Sequence, residues 1–289
     1  SEGEGDEDAW IKSDGQASNA MIDRMVSLRQ CGKAFNVCTA ESVRQGLNAA
    51  DRIMEKAARS GVGILSYGSD NYPQEMLCAV NCSGRPDIPL TLYCKGNLEA
   101  LRHPGVAVIG TRHPSPAGRR HAEYCGERLA ETGCNIISGL AAGCDAAAHR
   151  GAPSCPGGRT TALLGHGLDT VYPKEHASLA RDILEHDGLL ISEYPLGTRV
   201  TPFTLTARDR LQAALAQSVL VVQASAEGGT MLTARMALAA GKALFCLHYA
   251  ADDPAEEEKT QGNRMLMQEG GTALDPRLFA DNILDIINA

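Results

Sequence analysis

The feature that most constrains the fold is a repeat of strand, glycine turn and helix between Gly105 and Ala152. Val106 to Ile109 is a short apolar run, read as a β-strand. It breaks at Gly110 into a polar turn carrying Thr111, Arg112 and Ser115, and a helix-like segment follows. The pattern then begins again, with a strand expected at Asn135 to Ile137 and a second turn, SGLAAGCD, over 138–145. Open α/β sheets place such turns at the carboxyl ends of their strands, where the free N–H groups of a helix start receive phosphate. A chain patterned this way is expected to handle a nucleotide or a nucleic-acid backbone.

Composition narrows the options. A length of 289 residues fits one large domain with a small appendage, or two domains. With 44% hydrophobic and 21% charged residues, the chain can bury a sizeable core. Only 4% is aromatic, which argues against a surface built mainly from stacking platforms. The net charge is -8, and much of it sits in the first twenty residues, where Glu2, Glu4, Asp6, Glu7, Asp8 and Asp14 face Lys12. The remaining body is mildly acidic. General coating of DNA is disfavoured, and a local cationic groove remains open. Residues 1–20 read as a disordered acidic tail or a tag, since Ser18, Asn19 and Ala20 before Met21 resemble an expression scar. Ten cysteines without a CxxC pair read as reduced thiols in the cytoplasm. No signal peptide is present, and no apolar run approaches the roughly twenty residues that cross a bilayer. No membrane association, metal or cofactor is expected.

Three parts are expected along the chain: the tail, a short helical N-terminal segment over 21–60, and one α/β domain over 61–289. Apolar spacing at Met25, Leu28, Val43, Leu47, Ile53 and Ala57 supports the helical segment. Strands are predicted at Gly63–Ser66 and Pro89–Cys94, then through Ile109, Ile137, Leu163, Leu190, Val221 and Phe245. Helices are predicted over Arg119–Thr132, Ala141–Arg150, Lys174–Asp187, Arg208–Ala216 and Thr230–Ala240. Strands that are apolar throughout suit a parallel sheet covered on both faces, so a doubly wound, mostly parallel Rossmann-like sheet is expected. The acidic run Asp252–Lys259 reads as a solvated loop.

Several residues could carry ligand chemistry. Gly110, Thr111, Arg112 and Ser115 offer close backbone approach, a guanidinium fork and hydroxyl donors. Ser138 and Gly139 stand at the next strand end, with Asp145 placed to cap the helix after it and His149 one turn on. Lys174 opens a helix after GHGLDTVYP. Arg208 and Arg210 flank Asp209 at what reads as another helix start, where two arginines would clamp an anion. Gly228, Gly229 and Thr230 form a nest ahead of a helix. There is no GxxxxGK[ST] loop, no HExxH pair and no local Ser/His/Asp arrangement, so no catalytic residue is assigned.

Taken in order, YPQEM, LTLYCKGN, VAVIGTRHPSPAG, IISGLAAGCDAAAHRGA, TALLGHGLDTVYPKEH, LLISEYPLG, RDRLQAALAQSVLVVQA, GGTMLTARMALAAGKALF and QGNRMLMQEGGTAL run from Tyr72 to Leu274. This series resembles the DNA-processing protein A family, also called Smf, which comprises recombination mediators of natural transformation. The resemblance implies an extended Rossmann-like domain and a positive pocket for single-stranded DNA at Arg112, Lys174, Arg208 and Arg210. It also implies a homodimer that protects incoming DNA and loads the RecA recombinase, with no turnover. The chain departs from the family pattern in places. The usual RNR is RDR, with Asp209 inside the expected pocket; the usual glutamate before the nest is Gln223; and Gly228 and Gly229 replace a Ser-Gly pair. A rival of another class is a nucleotide-binding sensor or nucleotide N-glycoside hydrolase on the same fold. GGTMLTAR resembles the loop of phosphoribohydrolases, and Glu193 or Glu227 would supply the carboxylate. A third reading is a family member that acts through protein contacts alone.

Overall fold

A computed structural model of the chain describes residues 40–249 and 254–288. The expected tail and residues 21–39 of the expected helical segment lie outside the described residues. Two compact units divide between Lys56 and Ala57. The described part of the first is the body of helix α1 (Ala40–Arg59), which is mostly exposed.

The second unit holds one sheet, with nine strands among the described residues. They are β1 (Gly63–Ser66), β2 (Thr91–Gly96), β3 (Gly105–Ile109), β4 (Asn135–Ser138), β5 (Arg159–Leu164), β6 (Leu189–Ser192), β7 (Ser218–Val221), β8 (Ala243–Leu247) and β9 (Thr272–Leu274). Their order is β1-β2-β6-β5-β4-β3-β7-β8-β9. From β6 to β9 all neighbours are parallel; β2 runs antiparallel to β6, and β1 antiparallel to β2. The chain builds outward from β3 through β4, β5 and β6, then restarts at β7 on the other side of β3. This is the expected doubly wound topology, with its switch point between β3 and β7.

The apolar strands are buried on both faces, as their composition requires. In β3, Val106 and Val108 enter one core cluster, and Ala107 and Ile109 enter the other. The period-2 alternation divides a continuous hydrophobic run between two helical layers. Helices α2 (Pro116–Glu131) and α3 (Cys144–Gly151) cover the Val106 face through Ala122, Leu129 and Ala148. Helix α4 (Ala177–Glu185) follows β5. Helices α5 (Pro202–Leu215) and α6 (Gly229–Ala239) cover the Ala107 face through Leu211, Leu215, Met231 and Ala234. Helices α7 (Pro254–Gln268) and α8 (Ile283–Ile287) complete the layers.

Two expectations are corrected. The helix bearing Arg208 and Arg210 begins at Pro202, so neither arginine stands at a helix start. Its start signal lies upstream: Thr201 Oγ1 accepts from Thr204 N at 3.1 Å, and Thr204 Oγ1 accepts from Thr201 N at 3.0 Å, ahead of a proline at the first helical position. The acidic run read as a loop is helical from Pro254 onward. Proline suits a first helical turn, where its missing N–H costs no intrahelical bond.

Candidate functional site

At the switch point the turn after β3, the turn after β7 and one face of α5 enclose a cavity of about 560 Å³. Gly110, Thr111 and Arg112 form one wall, and Ser225, Glu227, Gly228, Gly229 and Thr230 another. Leu205, Arg208, Asp209 and Gln212 of α5 meet Ala141 and Asp145 below, and Tyr172, Val200 and Pro202 stand at the side. Gly228 is the N-cap of α6 at φ 127°, a left-handed conformation that suits glycine, and no side chain caps the helix there. The first amides of α6 are thus open to a ligand.

The turn between β4 and α3 is shaped around Arg208. A Cβ on Gly139 would stand 1.3 Å from Arg208 Nη1, so glycine is required for the guanidinium to lie where it does. Next to it, Leu140 is fully buried at φ 57°, and its carbonyl accepts from His176 Nδ1 at 2.8 Å. Strain in one residue is held by a buried hydrogen bond.

The structure separates the expected ligand residues into three groups. Gly110, Thr111, Arg112, Arg208, Gly228, Gly229 and Thr230 line the cavity. Lys174 is exposed, two residues beyond the cavity-lining Tyr172 and outside the lining itself. Ser115, Ser138, Gly139 and Arg210 are engaged in internal structure. Ser115 caps α2, its Oγ accepting from Gly118 N at 2.9 Å, and it exchanges two hydrogen bonds with buried Gln223. Ser138 Oγ donates to Val108 O at 2.7 Å. Gly139 N donates to Asp145 Oδ2 at 3.1 Å, so Asp145 braces its own turn rather than capping α3, whose N-cap is Gly143. Arg210 faces away from the cavity. Its fork donates to both oxygens of Glu193, at 2.7 Å and 2.5 Å, and Nε donates to Asp87 O at 2.8 Å. Glu193 is therefore a structural acceptor.

The floor is electrostatically mixed. Arg208 is 3% exposed; Nη1 donates to Gln212 Oε1, and Nε lies 3.5 Å from Asp209 Oδ1. Burial pushes the Asp209 carboxyl up to about 6, with Arg208 opposing the rise and Asp145 adding to it. Burial likewise raises Asp145, again opposed by Arg208. His149 is fully buried, and burial followed by the charge of Arg208 lowers it to about 3. Thr160 Oγ1 gives its only proton to Ile136 O, so it accepts from His149 Nδ1 at 2.6 Å, which leaves Nε2 of the neutral imidazole buried without a hydrogen-bond partner. Gln212 and Tyr172 escaped the sequence reading. With α5 started at Pro202, the spacing of Leu205, Arg208, Asp209 and Gln212 puts them on one helical face, a signal lost when the start is misplaced.

Residues 63–287 match the model of a family described as DNA recombination-mediator protein A. Protein Smf of Escherichia coli (strain K12) is 35% identical over 221 residues, 76% of this chain and 56% of that protein. DNA processing protein DprA of Streptococcus pneumoniae (strain ATCC BAA-255 / R6) is 38% identical over 184 residues, 64% of this chain and 63% of that protein. The chain spans less than two thirds of either curated relative. Among solved structures, DNA processing protein A from Streptococcus pneumoniae superposes with a TM-score of 0.69 at 27% identity, covering 91% of this chain and 92% of that one. DNA processing protein A from Helicobacter pylori, described for its single-stranded DNA binding mode, superposes with a TM-score of 0.65 at 29% identity, covering 78% and 96%.

Proposed function

This chain belongs to the DNA recombination-mediator protein A family, and we propose that it holds single-stranded DNA across the carboxyl ends of its parallel strands and passes it to a RecA-type recombinase. The observation that carries the reading is the likeness, over 78% of this chain, to a Helicobacter pylori protein described as binding single-stranded DNA. The geometry supports it. Exposed Arg112, Arg119, Arg120, Lys174 and Arg199 lie on turns and first helical turns around one sheet edge, with the open start of α6 among them. Phosphates meet cationic forks and backbone amides there, without readout of sequence. In this reading the chain acts in the cytoplasm as a homodimer, protects DNA taken up in transformation, and binds without turnover.

The test is fluorescence anisotropy with a labelled thymidine oligonucleotide of about 35 nucleotides at several salt concentrations, beside an Arg112→Ala, Lys174→Ala variant. Binding that weakens with salt and falls at least tenfold in the variant supports the reading. No binding at low salt overturns it. Recombinase loading is read separately, as a shortened lag in filament assembly on the bound strand.

One observation favours a second reading. The cavity has nucleotide-sized volume and carries Asp145, Asp209 and Glu227, which suits a nucleotide sensor or N-glycoside hydrolase. A screen of mononucleotides for binding and for release of free base tests it.

A further inference from the structure

The wall that presents the start of α6 is held from behind by two residues of α7. Beyond Val221 the chain leaves its ladder with β8, whose last pair is Val221 with Cys246. Backbone groups past that point need other partners, and a buried N–H or C=O left without one is costly. Asn263, 1% exposed, supplies them. Its Oδ1 accepts from Ala224 N at 2.7 Å, and its Nδ2 donates to Val222 O and Leu247 O, each at 2.9 Å. Gly262 N donates to Ala224 O at 2.7 Å. Both backbone polar groups of Ala224 are therefore fixed by α7.

The packing is as close as the hydrogen bonding. A Cβ on Gly262 would stand 2.4 Å from Ser225 O and 2.7 Å from Ala224 O, so glycine is what lets α7 approach the loop. Ser225 begins the cavity wall that continues through Glu227 and Gly228 to Thr230. An apolar side chain in place of Asn263 would fill the space, as Leu266 does one turn on, but it would offer Ala224 N and Val222 O nothing. Hydrogen bonds fix the direction in which the loop leaves β7, which packing alone does not. Both amide protons of Asn263 and its oxygen are committed to backbone, so its role is to aim the loop. A helix start receives phosphate only when its amides converge on the oxygens, and supporting groups must hold such a site within about 0.5 Å.

We infer that Asn263, together with Gly262, is a positioning residue of the strand-binding edge. It sets where residues 225–228 leave β7, and so where the first amides of α6 meet a phosphate, without touching the ligand. This rests on the single-strand reading and adds to it a residue outside the cavity lining, 39 positions from the Ala224 it holds.

The experiment follows the Gly229 amide by NMR, in the full chain carrying isotopically labelled glycine, as inorganic pyrophosphate is added. Anisotropy with a labelled thymidine strand is measured beside it. Asn263→Leu and Gly262→Ala displace the loop by different routes, one by removing hydrogen bonds and the other by a methyl that overlaps the loop carbonyls. Ser218→Ala is the control, because it removes a buried hydrogen bond, Oγ to Ile286 O at 2.6 Å, from the other end of β7. Melting curves set a temperature at which the proteins compared are folded, and if Asn263→Leu does not fold, Gly262→Ala decides. The wild type and Ser218→Ala are expected to respond alike to pyrophosphate and to the strand, and the two loop variants to need at least tenfold more of either. A folded loop variant that binds both at wild-type strength overturns the inference, as does an equal loss in Ser218→Ala. A Gly229 amide that responds to pyrophosphate in the wild type and not in the loop variants, while the strand does not bind, keeps the positioning role and discards the single-strand reading. Strand binding that leaves the wild-type Gly229 amide unmoved does the reverse, and silence from both ligands discards both.

Discussion

Asp209 and Arg208 are adjacent in sequence and share one cavity, and pH acts on the first of them. The Asp209 carboxyl titrates at about 6 in the folded chain against an ordinary 3.8, chiefly because burial penalises its charge. Between those values the folded protein holds a proton that the unfolded chain has released, so stability falls as pH rises through the window. Above about pH 6 the whole penalty stands, on the order of 3 kcal/mol by the free energy of a two-unit displacement. Asp209→Asn is therefore expected to raise the Tm by several degrees at pH 8, with the gain shrinking toward zero near pH 4. Thermal melting at the two pH values checks this, and an equal gain at both would refute it. Gly139 offers a second residue-scale test. A methyl there would overlap the Arg208 guanidinium, so Gly139→Ala is expected to displace Arg208 and weaken strand binding at least tenfold, read by anisotropy on protein shown to be folded.

At the scale of an element, α5 decides what its two arginines do. Positions two apart on a helix point about 200° from each other, so one of the pair must leave the cavity. Arg208 stays, and Arg210 closes a clamp on Glu193 at the end of β6 and on the carbonyl of Asp87. The Arg210 side chain is 6% exposed and that of Glu193 15%, so removing the cation strands a largely buried carboxylate. Arg210→Ala is expected to cost about 3–5 kcal/mol. Arg210→Lys should recover little, since an ammonium cannot replace a bidentate fork. Urea denaturation checks both, and a loss of strand affinity at unchanged stability would contradict the clamp. The sequence suggests both arginines as ligand contacts because RDR is read without a helical phase. That phase depends on where α5 starts, and Thr201, Pro202 and Thr204 supply the start signal six residues earlier. Strands such as Val106–Ile109 were legible because they are apolar on both faces and need no phase. The three-residue β9 was not, because its pairing with β8 comes from the sheet, not from a run of its own.

The whole molecule sets how strongly a strand can be held. The chain is acidic, at -8, so its cations must act locally, and the sheet order brings them together. Local pattern gave the alternation of strand and helix, but the placement of β7 against β3 is a contact between residues over a hundred positions apart. That one pairing turns two separate glycine turns into a single cavity, and it is why the ligand residues could be named individually while their grouping could not. Arg112 belongs to the turn after β3, Lys174 follows β5, and Arg199 follows β6, so all three lie at one edge. If each meets one phosphate, binding of single strands should show a logarithmic salt slope near -2, at about -0.7 per phosphate. The Arg112→Ala, Lys174→Ala variant should lose about two thirds of that slope along with its affinity. Titrations between 50 and 300 mM salt, a range chosen on the order of physiological ionic strength, measure both quantities. A variant that binds more weakly but keeps the full slope would show that these side chains support the edge without touching phosphate, and would move the backbone path toward Arg119 and Arg120 on α2.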